Sequence, residues 1–201
     1  MNYSICVSGA ASGKTVASSH ELAASLGRAI ANRGHILTTG ATVGLPFYAA
    51  VAAKEAGGMS IGFSPAASLR EHVAKYRLPI GVFDFINFTG MHYVGRDVHL
   101  VQSSDAIITV GGRFGSLHEF TTAIESRMPC GVLLGSGGTA DLIPELMQRL
   151  EPINQDMLIY DTDPTTLVEK VIAILDKENQ DINTKALSMQ WFLDNPHNHR
   201  G

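Results

Sequence analysis

The chain has 201 residues, of which 45% are hydrophobic and 17% are charged. This length is typical of one globular domain with a sizeable core, and the composition excludes an intrinsically disordered protein. The formal net charge is −4 and the isoelectric point is near 6.0, so a long polyanion such as DNA or RNA is not expected as a partner. A small anion is still compatible with this charge, because one arginine and one helix N-terminus can bind it locally.

The start of the chain lacks the basic stretch of a signal peptide, and no apolar run approaches the roughly 18 residues that a membrane span needs. We therefore expect a cytoplasmic protein without membrane contact. Cys6 and Cys130 lie far apart in apolar runs and lack CxxC spacing. This pattern predicts two buried thiols in a reducing compartment.

Short apolar runs at intervals along the chain predict the strands of a sheet. Most of them are apolar at consecutive positions, as expected for parallel strands that helices cover on both faces. The predicted strands are Tyr3 to Val7, His35 to Thr39, Ser60 to Phe63, Asp105 to Val110, Gly131 to Leu134 and Met157 to Tyr160. The stretch from Ile80 to Phe88 is either a further strand or a long connection.

Helix signals separate these strands. Ser18 and Glu21 form a capping box, and Ser68 and Glu71 form a second one, so each pair predicts a helix N-terminus. Asp163, followed by a proline at the first helical position, predicts the start of the last long helix.

Strands that alternate with helices of about ten to fifteen residues indicate right-handed βαβ units. We therefore predict an α/β fold with a single Rossmann-like open parallel sheet and helices on both faces, spanning residues 1–177. Residues 178–201 are predicted to form a polar C-terminal tail that Trp191 and Phe192 partly dock on the domain. His197 and His199 in this tail are expected to be exposed rather than to bind a metal.

In an open α/β sheet, ligands bind beyond the carboxyl ends of the strands, so the strand-to-helix loops are the candidate sites. The loop that begins at Ser8 resembles a Walker A loop but is one residue short between Gly9 and Gly13. An ATPase is therefore not expected. The small residues, Gly9 and Ser12 among them, instead predict a loop whose backbone N–H groups approach an anion.

The second loop joins a strand to a helix through Gly40 and Gly44. Its small residues either let a ligand approach the backbone or simply allow a tight turn.

The third loop follows the strand that ends at Val110 and is the most informative. Gly112 and Gly115 free its backbone to point N–H groups inward, and the helix that follows adds a partial positive charge, so a phosphate fits here. Ser116 adds a hydroxyl, and Glu119 lies one helical turn further on. The alternative is structural, because Ser116 and Glu119 also have the spacing of a capping box.

The fourth loop, from Gly135 to Ala140, fits the G-x-G-x-x-A pattern of dinucleotide-binding loops, and Asp161 ends the next strand. This motif is weak alone and occurs late in the chain, so NAD binding is a minor alternative.

An apolar stripe of valines predicts the buried face of the helix that contains Arg96, and this stripe points Arg96 away from the core as a solvated charge. His118 and Glu119 begin an HExxH pattern, but Thr122 replaces the second histidine, which excludes that zinc site.

Taken together, the loops from about Ile5 to Leu150 resemble those of the LOG family, the cytokinin-activating phosphoribohydrolases, and of the wider LOG-like and molybdenum-cofactor-carrier-like Rossmann proteins. The segment from Thr39 to Leu45 is similar to the family's GGGxxGLM motif. Arg96, an Asp-Ala pair, a strand and the loop that ends at Glu119 match the family's arginine and PGGxGTxxE motif without a gap.

Four positions depart from the family pattern. Gly111 replaces a proline, Arg113 replaces the second glycine, Ser116 replaces a threonine and Asp97 replaces the lysine that commonly follows the arginine. Arg113 brings a large side chain into a loop that should surround a phosphate, so it either adds a charged contact or narrows the site.

The resemblance implies hydrolysis of the N-glycosidic bond of a nucleoside 5′-monophosphate. It assigns catalysis to Arg96 and Glu119, and substrate or phosphate binding to Gly9, Ser12, Gly40, Gly44, Gly112, Arg113, Gly115 and Ser116. It requires no metal and no cofactor, and no lysine is singled out for pyridoxal phosphate. It also implies a homodimer. The alternative is a non-catalytic carrier or sensor of a nucleotide or nucleotide-like cofactor, which the altered glycine segment and Arg113 favour.

Overall fold

One parallel sheet of seven strands forms the centre of the computed structural model, which describes residues 2–150, 155–182 and 188–194. The strands are β1 Ser4–Gly9, β2 Ile36–Thr39, β3 Met59–Ser64, β4 Phe85–Phe88, β5 Ala106–Val110, β6 Cys130–Leu133 and β7 Leu158–Asp161. Every pair of neighbouring strands is parallel. The predicted α/β fold with a Rossmann-like open parallel sheet is confirmed.

Helices connect the strands and cover both faces of the sheet. They are α1 Lys14–Asn32, α2 Leu45–Glu55, α3 Leu69–Ala74, α4 His92–Gln102, α5 Phe114–Glu125, α6 Gly138–Leu150, α7 Pro164–Glu178 and α8 Met189–Asp194, and a short 3₁₀ helix, Gln155–Met157, precedes β7. Among the described residues, no helix is long and apolar enough to cross a membrane.

The strand order is β4-β3-β2-β1-β5-β6-β7. Successive strands are added on one side of β1 as far as β4, and the chain then returns to place β5 on the other side of β1. The loops after β1 and β5 therefore diverge at the switch point of the topology, where an open sheet leaves a crevice for a ligand.

The alternation of side chains along each strand builds two cores. On β1, Ile5 and Val7 belong to a core that α1, α2 and α7 cover, while Cys6 belongs to a second core under α4, α5 and α6. Successive side chains of a strand point to opposite faces of the sheet, so both faces of the central strands are apolar. Cys6 and Cys130 are both buried free thiols in this second core, as predicted.

Two predicted helix starts are confirmed by their caps. The Ser68 hydroxyl accepts a hydrogen bond from the backbone N–H of Glu71 at 3.2 Å, and the Glu71 carboxylate accepts one from the N–H of Ala67 at 2.7 Å. The carboxylate of Asp163 accepts one from the N–H of Thr166 at 2.8 Å.

The helix start predicted at Ser18 is wrong. Helix α1 begins at Lys14 with Gly13 as its N-cap, and the Ser18 hydroxyl lies inside the helix, where it donates to the carbonyls of Lys14 and Thr15. Gly13 has φ of 103°, a conformation that glycine adopts without strain, so the loop turns into the helix one turn earlier than the capping pattern suggests.

Between Ile80 and Phe88, only Phe85–Phe88 form a strand, so both interpretations of this stretch hold in part. Helix α7 ends at Glu178, beside the boundary predicted between domain and tail. In the tail, the rings of Trp191 and Phe192 pack edge to face with centroids 5.1 Å apart. Docking of the tail stays a prediction, and His197 and His199 lie outside the described residues.

Candidate functional site

A pocket of about 240 Å³ opens at the carboxyl ends of β1 and β5, at the switch point of the sheet. Four parts of the chain line it: the loop after β1, the loop after β2, the start of α4, and the loop after β5 with the first turns of α5. A concave pocket lined by a few convergent polar groups can bind a small molecule.

The pocket brings together most of the residues that the sequence singled out. Eight of the ten line it: Gly9, Ser12, Gly40, Arg96, Arg113, Gly115, Ser116 and Glu119. The other two, Gly44 and Gly112, do not line the pocket themselves. An added Cβ at Gly44 would come 2.3 Å from the carbonyl oxygen of Ala10, and one at Gly112 would come 2.7 Å from the Cβ of Ser116. Gly44 therefore allows the loop after β2 to pack against the loop after β1, and Gly112 allows the loop after β5 to pack against the first turn of α5.

Glu119 is buried at the back of the pocket, where only 8% of the residue is exposed. Its Oε2 accepts a hydrogen bond from the hydroxyl of Ser8, which is the penultimate residue of β1. Burial raises the pKa of Glu119 to about 7, an effect that nearby Arg96 opposes and nearby Asp97 reinforces. This carboxyl can therefore give or take a proton near neutral pH.

The predicted capping box at Ser116 is absent. Arg113 is the N-cap of α5, so Ser116 is already the third residue of the helix. Ser116 is buried and lines the pocket, and the Glu119 side chain bonds to Ser8 instead of returning to the start of the helix. The structural alternative for this pair is therefore wrong.

The orientation predicted for Arg96 is also wrong. Arg96 is only 5% exposed, whereas Val94, placed on the supposed buried stripe, is 70% exposed. The Nη1 of Arg96 donates to the carbonyl of Gly40 and, at 2.9 Å, to that of Phe63. Gly40 has to be a glycine for this contact, since a Cβ there would lie 2.0 Å from Nη1.

Asp97 is a site residue that the sequence reasoning recorded only as a departure from the family pattern. It lines the pocket and is 5% exposed. Its Oδ1 accepts from Nε of Arg96 at 3.0 Å, and its Oδ2 lies 3.0 Å from Nδ1 of His118. Arg96, Asp97 and Glu119 thus form one connected group of charged side chains inside the pocket.

Two helices point their N-termini at the pocket. The N-cap residues of α1 and α5 are Gly13, which has no side chain to form a cap, and Arg113, whose side chain does not bond to the start of its own helix. Backbone N–H groups in these first turns are therefore left for a ligand, and the positive end of each helix dipole favours an anion.

Arg113 does not fill the loop that it begins. Its side chain extends to the opposite side of the pocket mouth, where Nη1 lies 3.4 Å from the hydroxyl of Ser12. Both residues are exposed and line the pocket. The Arg113 guanidinium therefore reaches from the loop after β5 to the loop after β1 at the mouth of the pocket.

The fourth glycine loop supports the third one. The carboxylate of Asp141 accepts hydrogen bonds from the N–H groups of Gly135 at 2.7 Å and Gly137 at 3.0 Å. The Ser136 hydroxyl accepts from the N–H of Gly111 at 2.8 Å. The N–H groups that a dinucleotide phosphate would need are thus already bonded within the protein.

The pocket mouth also contains an aromatic ring. Tyr93 is 48% exposed, lines the pocket, and lies with its ring centroid 5.8 Å from the Arg96 guanidinium carbon. An exposed ring of this kind can stack on a planar ligand group. Among the described residues, no group of three His, Cys, Asp or Glu side chains is placed to hold a metal ion.

This combination of switch-point pocket, glycine loops and buried Arg-Glu group agrees with comparisons to known proteins. The family model described as "SLOG cluster4 family" matches residues 2–168. The chain belongs to the SLOG cluster4 family. The resemblance to LOG-like and molybdenum-cofactor-carrier-like proteins is thereby confirmed.

Relatives of this SLOG cluster4 protein are known from sequence and from structure. An uncharacterized protein of Archaeoglobus fulgidus is 32% identical over 106 residues, which are 53% of this chain and 64% of the relative. The chain therefore spans less than two thirds of that relative's length. Two solved structures are each 26% identical: the molybdenum cofactor binding protein from Rippkaea orientalis, with a TM-score of 0.71, and the molybdenum cofactor carrier protein from Chlamydomonas reinhardtii, with a TM-score of 0.67. They cover 87% and 86% of this chain, and the matches span 98% and 99% of their own chains.

The sequence analysis did not assign Asp97, His118, Ser8 or Tyr93 to the site. Ser8 was only the start of the first loop and His118 only part of an incomplete HExxH pattern, because their contacts with Glu119 and Asp97 join elements that are far apart in the chain. A usable signal did exist for Asp97, since a carboxylate beside the motif arginine reverses the charge that the LOG pattern places there.

Proposed function

We propose that this protein hydrolyses the N-glycosidic bond of a nucleoside 5′-monophosphate and releases the free base and ribose 5-phosphate. The observation that supports this most directly is Glu119, a buried carboxyl whose pKa is raised to about 7, next to Arg96 in an anion-binding pocket. A general acid or base is most effective when its pKa is close to the working pH.

The phosphate of the substrate is bound by the first turn of α5, with Gly115 and Ser116, and the Arg113 guanidinium closes over it from the mouth. Binding the phosphate first fixes the position of the ribose relative to Glu119, which lies one turn deeper. The helix N-terminus and the Arg113 guanidinium both favour the negative charge of this phosphate.

In the chemical step, Glu119 in its ionised form accepts a proton from a water molecule whose oxygen bonds to the anomeric carbon. The carbon–nitrogen bond breaks at the same centre, its electron pair leaves with the base, and the base takes a proton from solvent. Positive charge develops on the ribose on the way, and the carboxylate stabilises it. The guanidinium of Arg96 compensates one of the two negative charges that Glu119 and Asp97 carry when both are ionised.

A second candidate function is a non-catalytic carrier of a nucleotide-like cofactor. The observation in its favour is the likeness to the molybdenum cofactor binding and carrier proteins at 26% identity over nearly their whole length. A carrier would use the same helix N-termini and Arg113 to hold a phosphate, and would not need Glu119 to change its protonation. A homodimer and a cytoplasmic location remain proposals that accompany either function.

One experiment separates the two functions. The protein is incubated with a panel of nucleoside 5′-monophosphates and with the matching nucleosides, free base is measured by chromatography, and binding is measured by calorimetry. We expect base release from a monophosphate and little from its nucleoside. Glu119→Ala should abolish release, while Glu125→Ala, an exposed glutamate of the same helix, should not change it. Tight binding without release would favour the carrier, and absence of both binding and release would overturn both functions.

A further inference from the structure

Asp97 is the central residue of a group of contacts whose role the proposed hydrolysis does not define. Its two oxygens are both used: Oδ1 bonds to Arg96 Nε and Oδ2 to His118 Nδ1, each at 3.0 Å. The Glu119 carboxyl lies within hydrogen-bonding reach of Asp97. Two buried carboxyls in contact cannot both be ionised without a large cost, so one of them retains a proton.

The hydrogen-bond donors around each carboxyl indicate which of the two retains the proton. Asp97 has a guanidinium and an imidazole as partners, and both stabilise its ionised form. Glu119 has one neutral donor, the Ser8 hydroxyl. The shared proton therefore belongs on Glu119, the group that faces the substrate.

We propose that Asp97 is a positioning residue: its carboxylate, which bonds to Arg96 and His118, raises the proton affinity of Glu119 and so makes it a stronger base. This role rests on the proposed function, because it prepares Glu119 to change its protonation during the reaction. His118 is half-exposed, with 38% of its side chain accessible, so it connects the buried group to solvent.

The other charged groups near Glu119 do not explain the retained proton. From β1, the Cys6 thiol lies close to Glu119, but burial raises its pKa well above the usual range and it stays neutral. From α4, Arg96 acts in the opposite direction, because its positive charge favours the ionised form of Glu119. From the loop before α5, Arg113 is a second positive charge, at the exposed mouth. Burial is the largest cause of the raised pKa of Glu119, and Asp97 is the charged neighbour that adds to it.

The test follows the ionisation of Glu119 itself in the ligand-free protein. Glutamate is labelled with ¹³C at its carboxyl carbon, the Glu119 signal is assigned with Glu119→Gln, and its midpoint is measured by NMR. In the wild type we expect a midpoint near 7. In Asp97→Asn we expect it to fall by about one pH unit or more, the size of effect that one adjacent charge has on a buried carboxyl. The charge-matched control is Asp156→Asn, an exposed residue of the 3₁₀ helix before β7, which should leave the midpoint unchanged.

Asp97→Ser is a second variant, which removes the charge but retains a hydroxyl that can accept from Arg96. A wild-type midpoint below 5, or a midpoint that stays in place in a folded Asp97 variant, would overturn the inference. The pH profile of base release gives a second measurement. Its midpoint in Asp97→Asn should shift to lower pH by the same amount, which a purely structural role would not produce.

The two proposals can fail separately. If the wild type releases no base at any pH but the Glu119 midpoint falls in Asp97→Asn, the phosphoribohydrolase proposal fails and the role of Asp97 stands. If base is released and the midpoint does not fall, the role of Asp97 fails and the enzyme stands.

Discussion

Arg113 stands where the LOG pattern has a glycine, and its position bears on how the pocket would hold the phosphate of the proposed substrate. The side chain leaves the loop after β5 and ends beside the Ser12 hydroxyl, 3.4 Å away across the pocket mouth. A guanidinium in this place is close to both helix N-termini, so it adds positive charge to the anion site. It leaves the loop itself open for a phosphate.

We therefore expect Arg113→Ala to weaken the binding of a nucleoside monophosphate rather than to strengthen it. An exposed charged contact contributes on the order of 1 kcal/mol, so the Kd should rise about fivefold, and the loss should shrink at high salt. Calorimetric titrations at low and high ionic strength measure this. Arg149→Ala, an exposed arginine of α6, is the charge-matched control and should leave Kd unchanged. Tighter binding by Arg113→Ala would show that the side chain obstructs the site.

For individual residues, the positions of the motif residues were predictable from the sequence, and the orientations of their side chains were not. The glycine loops and the spacing from Arg96 to Glu119 located eight lining residues, because loop chemistry is a local property of the sequence. The burial of Arg96 was missed because helical periodicity assigns the inner face to apolar residues. In α4 that face contains Arg96 and Asp97, which bond to each other, and Arg96 also donates to the backbone carbonyls of Gly40 and Phe63.

Helices α1 and α2 pack against each other more closely than ordinary side chains allow. A Cβ added at Gly27 would lie 2.0 Å from the carbonyl oxygen of Ala49 and 2.7 Å from its carbonyl carbon. The atoms in the way are backbone, which cannot rotate aside. This glycine therefore sets the distance between the helices that follow β1 and β2, and with it the distance between the first two loops of the pocket.

Gly27→Ala should destabilise the protein by about 1–3 kcal/mol, because overpacking outweighs the gain of up to ~1 kcal/mol that alanine brings to a helix interior. Urea denaturation measures this as a lower midpoint with an unchanged slope. Gly115→Ala in α5 is the matched comparison, since its Cβ would meet nothing within 4 Å, and it should be at least as stable as the wild type. A Gly27→Ala variant as stable as the wild type would show that the helices separate without cost.

Helix starts were less predictable than the elements themselves. The strands and most helices followed from apolar runs and their spacing. The start of α1 did not, because Ser18 and Glu21 have the residue types of a cap, whereas the chain turns at Gly13 by adopting a positive φ. Such a conformation is open to any glycine in the chain and is selected by tertiary packing.

For the whole molecule, the position of the site follows from the order of the strands. Because β5 returns to the side of β1 opposite β2, the loops after β1 and β5 face each other across a crevice. The carboxyl of Glu119, on the helix that follows β5, accepts a hydrogen bond from Ser8 of β1. This buried contact links the two halves of the sheet. Sequence alone could indicate a switch point somewhere, but the pairing of β1 with β5 depends on contacts about a hundred residues apart.

Burying this carboxyl has a cost for the stability of the whole fold. The pKa of Glu119 is raised from its usual 4.5 to about 7 in the folded protein. Between these two pH values the native state retains a proton that the unfolded chain releases, so the free energy of unfolding falls as pH rises through this window. The full effect is about 3 kcal/mol at pH 8, since one pKa unit corresponds to 1.36 kcal/mol.

Glu119→Gln removes this penalty because its amide does not ionise. The free energy of unfolding of the variant, relative to the wild type, should therefore rise by up to about 3 kcal/mol between pH 5 and pH 8, as measured by urea denaturation at each pH. The same substitution at the exposed Glu125 of α5 should give a difference that does not vary with pH. If the Glu119→Gln difference changed by less than about 0.5 kcal/mol, the size of an ordinary surface effect, Glu119 would have to be ionised at little cost in the native protein. The raised proton affinity on which the proposed hydrolytic step depends would then be wrong, while the pocket and the helix N-termini beside it would remain compatible with a carrier.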